Sequence, residues 1–530
     1  MPSAHSNALH RLAFPLGLLA GLVLGGCASL PTEVTRPSSA HSDLDREPSR
    51  LARHAGPYLR AHPGESGLWL LGLGLDAFAA RLLLADAADR TIDVQYYLYH
   101  DDVTGRILTE RLLRAADRGV RVRLLLDDMT TQGIEARLAT LDAHPNIAVR
   151  IVNPFASRDF RALETLTRFD TVTRRMHNKS FTVDDTMTIV GGRNIGDEYF
   201  DAHEDVNFGD LDVLAVGPAA IEVGKQFDLY WNSDLAYPIQ SLAGGTGDLE
   251  ALRADLRAYI ETQIDSPYAE RARSSELVRD FLAGTLPFQW GQALVYYDLP
   301  EKLVTDPEDR STHMAPQVLP KTLGALEHDL LIFTPYFVPG DHGVMVLTGL
   351  EKRGVQVRVL TNSLASTDVG AVHAGYARYR KPLLQGGVEL YELKPESDTT
   401  KQGKFNRLDG SSGASLHAKT TVFDREALFV GSANLDPRSG KLNTELGILF
   451  KSDPLAQGVG VWFDANRARI AYRVSLDQSH CGDRPQCKGR LQWTDEEGGR
   501  SVIYLKDPET GALTRFFVTL IALLPIEGQL

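Results

Sequence analysis

Short apolar runs broken by polar turn signals recur along most of this chain, and they recur as two matching sets. Residues 92–128 open on Ile92-Asp93-Val94-Gln95-Tyr96-Tyr97, where apolar and polar positions alternate with the period of a half-buried strand. A helix-length stretch follows, and Arg118-Gly119-Val120-Arg121-Val122 then leads into another apolar run. Residues 331–363 repeat the order: apolar strand, helix, then Arg353-Gly354-Val355-Gln356-Val357-Arg358, with Gly354 lying 235 positions after Gly119. Strand, helix and strand in succession mark parallel pairing through a crossover. The pattern predicts an α/β protein of two duplicated lobes, each a mixed, mostly parallel β-sheet flanked by helices.

A second repeated pattern follows each of these units. Residues 177–183 and 188–190 are β-rich runs separated by Asp184-Asp185; residues 417–423 and 427–430 are separated by Asp424-Arg425. Each reads as a strand, a tight turn and a second strand. The repeats divide the chain into a first lobe at 61–240, a connection at 241–318 with helices at 249–263 and 276–282, a second lobe at 319–487 and a C-terminal extension at 488–530. Within the extension, 491–493 and 501–504 read as strands. The apolar run at 516–524 is too short to span a bilayer and is expected in the packed core.

The chemistry lies in the hairpins. His177, Lys179, Asp184, Gly191, Gly192 and Asn194 recur at identical offsets as His417, Lys419, Asp424, Gly431, Ser432 and Asn434, 240 residues later. Strand side chains alternate faces, so each histidine and its lysine point the same way, one proton-transfer or nucleophilic group beside one positive charge. Asp184 and Asp424 fall on the opposite parity at the turn, which places them as braces rather than at the substrate. The glycine pairs let backbone approach a ligand, and Asn194 and Asn434 offer amide donors. Two histidines, two lysines and two amides suit a phosphodiester: the cations and amides stabilise charge on a five-coordinate phosphorus, while one imidazole attacks and the other protonates the leaving alkoxide. The reaction needs no cofactor, and neither motif has the carboxylate-rich spacing of a divalent-metal site.

The duplicated motif resembles the phospholipase D superfamily over nearly the whole chain after residue 60. Ile92 to Tyr97 as quoted above, Gly192-Arg193-Asn194-Ile195-Gly196-Asp197, and Asp436-Pro437-Arg438-Ser439 followed by Asn443-Thr444-Glu445 are similar to its bacterial cardiolipin synthase branch. The resemblance carries His177, Lys179, Asp184, His417, Lys419 and Asp424 as the catalytic set. It implies a phosphohistidine intermediate on His177 with His417 as general acid, then base; the symmetric spacing alone favours neither order. It also implies a carboxylate behind each imidazole. Glu445, 28 positions after His417, and Asp212, 35 after His177 with Asp210 as its rival, are the candidates. Arg438 and Ser439 are expected near the acceptor, Ser439 equally as a helix cap. The implied function is transfer of a phosphatidyl group to phosphatidylglycerol, giving cardiolipin, with phosphatidylethanolamine or a second phosphatidylglycerol as donor. A phospholipase D hydrolase, a periplasmic nuclease or phosphodiesterase, and a lipid-binding lipoprotein without turnover are the alternatives.

Charge and the amino terminus refine that picture. The net charge is −13, which disfavours nucleic acid as a partner. Arg174-Arg175 and residues 378–381 are local basic clusters, read as solvated surface. After Arg11, an uncharged apolar run at 12–25 ends in Leu24-Gly25-Gly26-Cys27, the pattern of a bacterial lipoprotein signal: residues 1–26 removed, Cys27 lipidated, and residues 27–60 a flexible tether of about 30 Å. Cleavage removes Arg11 and no acid, leaving −14. Ala28 rather than aspartate after the cysteine points to the outer membrane, periplasmic side. Cys481 and Cys487 remain as an even pair, expected as a local disulfide in that oxidising compartment.

Overall fold

The computed structural model describes residues 29–40, 47–203, 207–243, 245–395, 414–479, 489–497, 500–524 and 527–530. The expected leader, Cys27, and the pair Cys481 and Cys487 lie outside them.

Each lobe is built on one sheet. The first runs in the order Gln289–Gly291, Ser66–Leu71, Asp212–Val216, Met187–Gly191, Ser180–Val183, Thr91–Tyr96, Arg121–Asp127, Ile147–Val152, Ala236–Pro238. The second runs Ala293–Tyr297, Leu446–Lys451, Ala427–Gly431, Thr420–Phe423, Asp329–Phe333, Gln356–Asn362, Glu389–Leu393, Ala471–Asp477, Arg490–Glu497, Arg500–Tyr504. Both are mixed. Among the described residues, parallel pairing within the sheets is a trio in each, Thr91–Tyr96 with its next two neighbours and Asp329–Phe333 with its next two. The parallel share is smaller than expected, because the catalytic hairpins and the strands beside them run antiparallel.

The Arg-Gly signals end helices. Gly119 follows the helix Val103–Asp117 and Gly354 the helix Gly340–Lys352, at φ +90° and +89°. In each case the glycine N–H and the following valine N–H donate back to the last turn, Gly119 to Ala116 and Val120 to Ala115, Gly354 to Glu351 and Val355 to Leu350. That double closure needs a left-handed residue. A Cβ at either glycine would meet nothing within 4 Å, so conformation and not space demands glycine here.

The inner faces of the two sheets share one core: Val190, Val213 and Ala215 pack in a cluster with Leu331, Val430 and Ile448. The connection at 241–318 does more than connect. Its helices Leu249–Gln263, Pro267–Arg273 and Glu276–Ala283 lie on the first lobe, and then one short strand joins each sheet. The extension likewise adds its two strands to the second sheet.

Two expectations fail. The segment 29–40 is docked rather than free: Arg123 and Arg150, buried and in need of acceptors, donate to the carbonyls of Ser39 and Pro37, and Arg36 donates to Ala236. Residues 50–61 then form a helix. The apolar run at 516–524 is not core: among the described residues no layer covers the outer face of helix Ala512–Ile521, leaving Phe516 61% and, just past the helix, Leu523 76% exposed. Among the described residues, no helix is long and apolar enough to cross a membrane.

Candidate active site

The strands expected to open at His177 and His417 open instead at Ser180 and Thr420. The residues just ahead of them are claimed by the opposite lobe. Met176 bridges Thr444, and the His177 N–H donates to the Thr444 carbonyl at 2.9 Å. In the other half, Ala414–Leu416 pairs in parallel with Asn207–Gly209, and the His417 N–H donates to the Gly209 carbonyl at 2.8 Å. Each histidine is thus pinned by main chain that immediately precedes a buried acid.

Those acids are the imidazole partners, and they cross between lobes. His177 Nδ1 lies 2.9 and 3.1 Å from the two Glu445 oxygens, and His417 Nδ1 lies 2.6 Å from Asp210 Oδ2. Glu445 therefore serves His177 and not His417, and Asp210 rather than Asp212 serves the other ring. Sheet register explains the exchange: Gly191 pairs with Asp212 and Gly431 with Gly447, so Asp212 corresponds to Gly447 and Asp210 to Glu445. Asp212 instead meets buried Arg81 at 2.8 Å. A carboxylate on Nδ1 keeps the proton there and leaves Nε2 with its lone pair for chemistry.

Gly191 and Gly192 make room for acids rather than for a ligand, and Gly431 makes room for the Leu446 carbonyl. A Cβ on Gly192 would sit 2.3 Å from Asp210 Oδ1, and one on Gly191 2.0 Å from Asp212 Oδ1. Ser432, at the place of Gly192, donates its hydroxyl to Glu445, as does Ser439 at 2.7 Å. Ser439 is thus committed to the carboxylate. The cap of its helix is Asp436, which accepts the Ser439 N–H at 2.7 Å, while Arg438 is braced on the chain's end. Asn194 accepts the Leu98 N–H at 3.2 Å and hydrogen-bonds Tyr199 through its side chain; the Asn434 N–H donates to the Ser439 hydroxyl.

Lys179 and Lys419 fold back so that each Nζ donates to its own histidine's carbonyl at 2.6 Å. Asp184 and Asp424 do not reach the rings. Each sits in the left-handed region at the hairpin turn and accepts three main-chain N–H groups from the start of the neighbouring strand, those of Asp89, Arg90 and Thr91 or of Glu327, His328 and Asp329.

Electrostatics complete the pocket. Burial, joined by Lys179 and Lys419 against the pull of Glu445, lowers His177 to about 4; burial and Lys419 also lower His417. Burial lowers Lys179 to about 7 and Lys419 to about 8. Burial would raise Glu445 and Asp210, but the histidine beside each, with a lysine, outweighs it and holds both at about 2. Each lysine acts on the other lobe's histidine, so the four groups share one pocket. It holds two neutral imidazoles, two poorly solvated cations and two orienting anions, and an oxyanion between the lysines restores their charge.

Several contributors carry no motif. Tyr97 stands edge-on to His177 with ring centroids 5.0 Å apart, and Tyr199 and Phe208 contact His417 at 5.1 and 5.3 Å. Asp298, from the connection, accepts the Glu445 N–H at 2.8 Å, and Lys302 ties Asp298 to the Ser439 carbonyl at 2.9 Å each. The basic clusters are not solvated surface throughout: Arg175 is fully buried near Asp127, and Arg380 is buried against Glu392 and Asp507.

Residues 83–231 and 320–467 each match the family described as "Cardiolipin synthase, PLD-like domain". The chain is 43% identical over 482 residues to cardiolipin synthase C of Escherichia coli (strain K12), covering 91% of this chain and all of that one. It is 26% identical over 414 residues to cardiolipin synthase A of Pseudomonas syringae pv. syringae (strain B728a), covering 78% and 70%. Among solved structures, it matches phosphatidylserine synthase of Haemophilus influenzae Rd KW20 with a TM-score of 0.52 at 14% identity, over 80% of this chain and 92% of that one, a likeness of fold.

Proposed function

The chain belongs to the phospholipase D-like cardiolipin synthase family, and from that premise we propose that it makes cardiolipin by moving a phosphatidyl group onto phosphatidylglycerol. The observation that carries the reading is the crossed pair: two imidazoles, each with Nδ1 on a buried carboxylate from the other lobe, beside two buried ammoniums.

In the first step His177 Nε2 attacks the phosphorus of a donor phospholipid. The bond from phosphorus to the headgroup oxygen breaks, and His417, which takes up a proton on Nε2 once the phosphate's negative charge enters the pocket, gives that oxygen the proton. Lys179 and Lys419 hold the non-bridging oxygens as charge gathers on them. In the second step His417 takes the proton of a phosphatidylglycerol hydroxyl, the freed oxygen attacks the phosphohistidine, the phosphorus–nitrogen bond breaks, and His177 is regenerated. Glu445, supported by two serine hydroxyls, suits His177 to the covalent role because it stabilises the positive charge the ring carries while bonded to phosphorus. The donor is phosphatidylethanolamine or a second phosphatidylglycerol. The sequence pattern at Cys27 supports a lipid-anchored protein on the periplasmic side of the outer membrane, with Cys481 and Cys487 joined there.

The test is purified protein with labelled phosphatidylglycerol, with and without phosphatidylethanolamine, in the presence of a chelator, and with single-stranded DNA as control. Labelled cardiolipin is expected in chelator. Phosphatidic acid alone, or cut DNA, would overturn the proposal.

A further inference from the structure

The helix Ala512–Ile521 faces the wrong way for a water-covered surface. Leu513, Phe516, Phe517, Leu520, Leu523 and Leu524 recur at helical spacing and stand 48–76% exposed. On the other side Arg515, Val518, Ile521 and Ala522 are half-buried, with Val518 reaching the helix start at Gly370. Just before the helix, Val502, Ile503 and Leu505 are exposed as well. A soluble surface does not ordinarily leave so many large apolar groups together. The charge is equally selective: in a chain of net charge −13, residues 511–524 contain Arg515 and no acid. An apolar stripe free of acids is the composition of an element that lies in the headgroup layer of a bilayer.

The helix is tied to the active site from both sides. After it, Glu527 pairs with Arg378 at 3.1 Å, and the carbonyl of the buried last residue, Leu530, accepts the Arg438 N–H at 3.0 Å. Arg438 is followed by Ser439, whose hydroxyl holds Glu445 on His177. Beneath it, the helix Gly370–Ala377 follows Asp368, which accepts from the Tyr336 hydroxyl at 2.7 Å and acts electrostatically on Lys419.

We propose that this stripe is a bilayer-docking surface that seats the catalytic pocket on a phospholipid membrane, so that lipid passes to the two histidines without crossing water. The inference rests on the transferase reading above for its choice of partner. An interfacial helix of this kind acts through burial of its apolar face in the acyl-chain boundary.

The full chain carrying Phe517→Trp is mixed with phosphatidylglycerol vesicles bearing brominated acyl chains. Its added emission is expected to shift to the blue and to be quenched beyond the parent protein's own tryptophans. A second variant, Phe516→Ser with Phe517→Ser and Leu520→Ser, is expected to lose about tenfold or more of its turnover on vesicle lipid while keeping turnover of short-chain phosphatidylglycerol dispersed as monomers. If the introduced tryptophan is not quenched, the proposal is overturned, whether the helix stays in water or light scattering shows a second copy covering it. An equal loss on both substrates also overturns it, since the helix then acts on the pocket itself. A parent protein inactive on both substrates counts against the transferase reading, and quenching alone then decides the docking surface.

Discussion

The two half-sites share their motifs and differ in what stands behind them. Glu445 reaches His177 while gripped by the hydroxyls of Ser432 and Ser439, and its own N–H is held by Asp298. Asp210 reaches His417 with a glycine where Ser432 stands, and takes a local hydrogen bond from the Leu211 N–H at 2.7 Å. The shorter carboxylate approaches its ring more closely, at 2.6 Å against 2.9 Å, with fewer ties. An imidazole that must hold phosphorus gains from the firmer support, whereas one that passes a proton out and back gains from the looser. The division of labour is therefore written in the residues behind the repeat rather than in the repeat.

Loss of either ring gives the largest effect: His177→Ala and His417→Ala are each expected to cut turnover by about ten-thousandfold or more. His417→Asn separates them, because labelled phosphate should then accumulate on His177; label trapped on His417 in the converse variant, His177→Asn, would exchange the two roles. Next come the acids. Glu445→Gln is expected to cost about a thousandfold in kcat and Asp210→Asn about a hundredfold, and equal losses would erase the difference between the halves. Gly192→Ser, which places the second lobe's residue in the first, should act like Asp210→Asn, since its Cβ would displace Asp210.

The pH profile sharpens the same contrast. Burial, with the two lysines, puts His177 at about 4, so kcat/KM should fall on the acid side only near pH 4, where the ring gains a proton and loses its lone pair. Burial and Lys419 also lower His417, so kcat/KM first declines as that ring loses the proton it must deliver; burial puts Lys179 at about 7 and Lys419 at about 8, so it falls further above about pH 7 as the ammoniums lose charge. Glu445 opposes burial at Lys179, and Asp210 does so at Lys419. Glu445→Gln is therefore expected to move the Lys179 step to lower pH, and Asp210→Asn the Lys419 step. An alkaline limb unmoved by both variants would remove the lysines from phosphate binding.

The smallest effects should be the most alike. Ser432→Ala and Ser439→Ala each remove one hydroxyl from Glu445 and are expected to lower kcat about tenfold. Asp184→Asn and Asp424→Asn should cost about 1–2 kcal/mol of stability each, read as a lower melting temperature, with kcat within about twofold. A collapse of kcat without loss of stability would return these aspartates to the chemistry.

What could be read beforehand was local. The hairpins, their histidines and lysines, and the glycines that close two helices depend on spacing within a few residues, and the sequence carries such spacing directly. The crossing of the carboxylates does not. Counting 28 positions from His417 and 35 from His177 treats each lobe as self-contained, whereas the strands that meet belong to different lobes. A better alignment was nevertheless present, since Asp210-Leu211 corresponds to Glu445-Leu446, with the first lobe's loop longer. Asp298 and Lys302 had no signal, because they act from a connection without a repeat. At 516–524 composition alone suggested core, and only the missing neighbouring layer showed otherwise.

The ribbon formed by Asn207–Gly209 and Ala414–Leu416 has a consequence for the timing of catalysis. When synthesis has delivered His177, the ribosome has yet to make Glu445, so the nascent first lobe holds a ring with nothing to keep its proton on Nδ1. A chain stopped before Ala414 is expected to yield no phosphohistidine when offered lipid. The half-made protein is chemically silent, and activity begins when the second lobe docks.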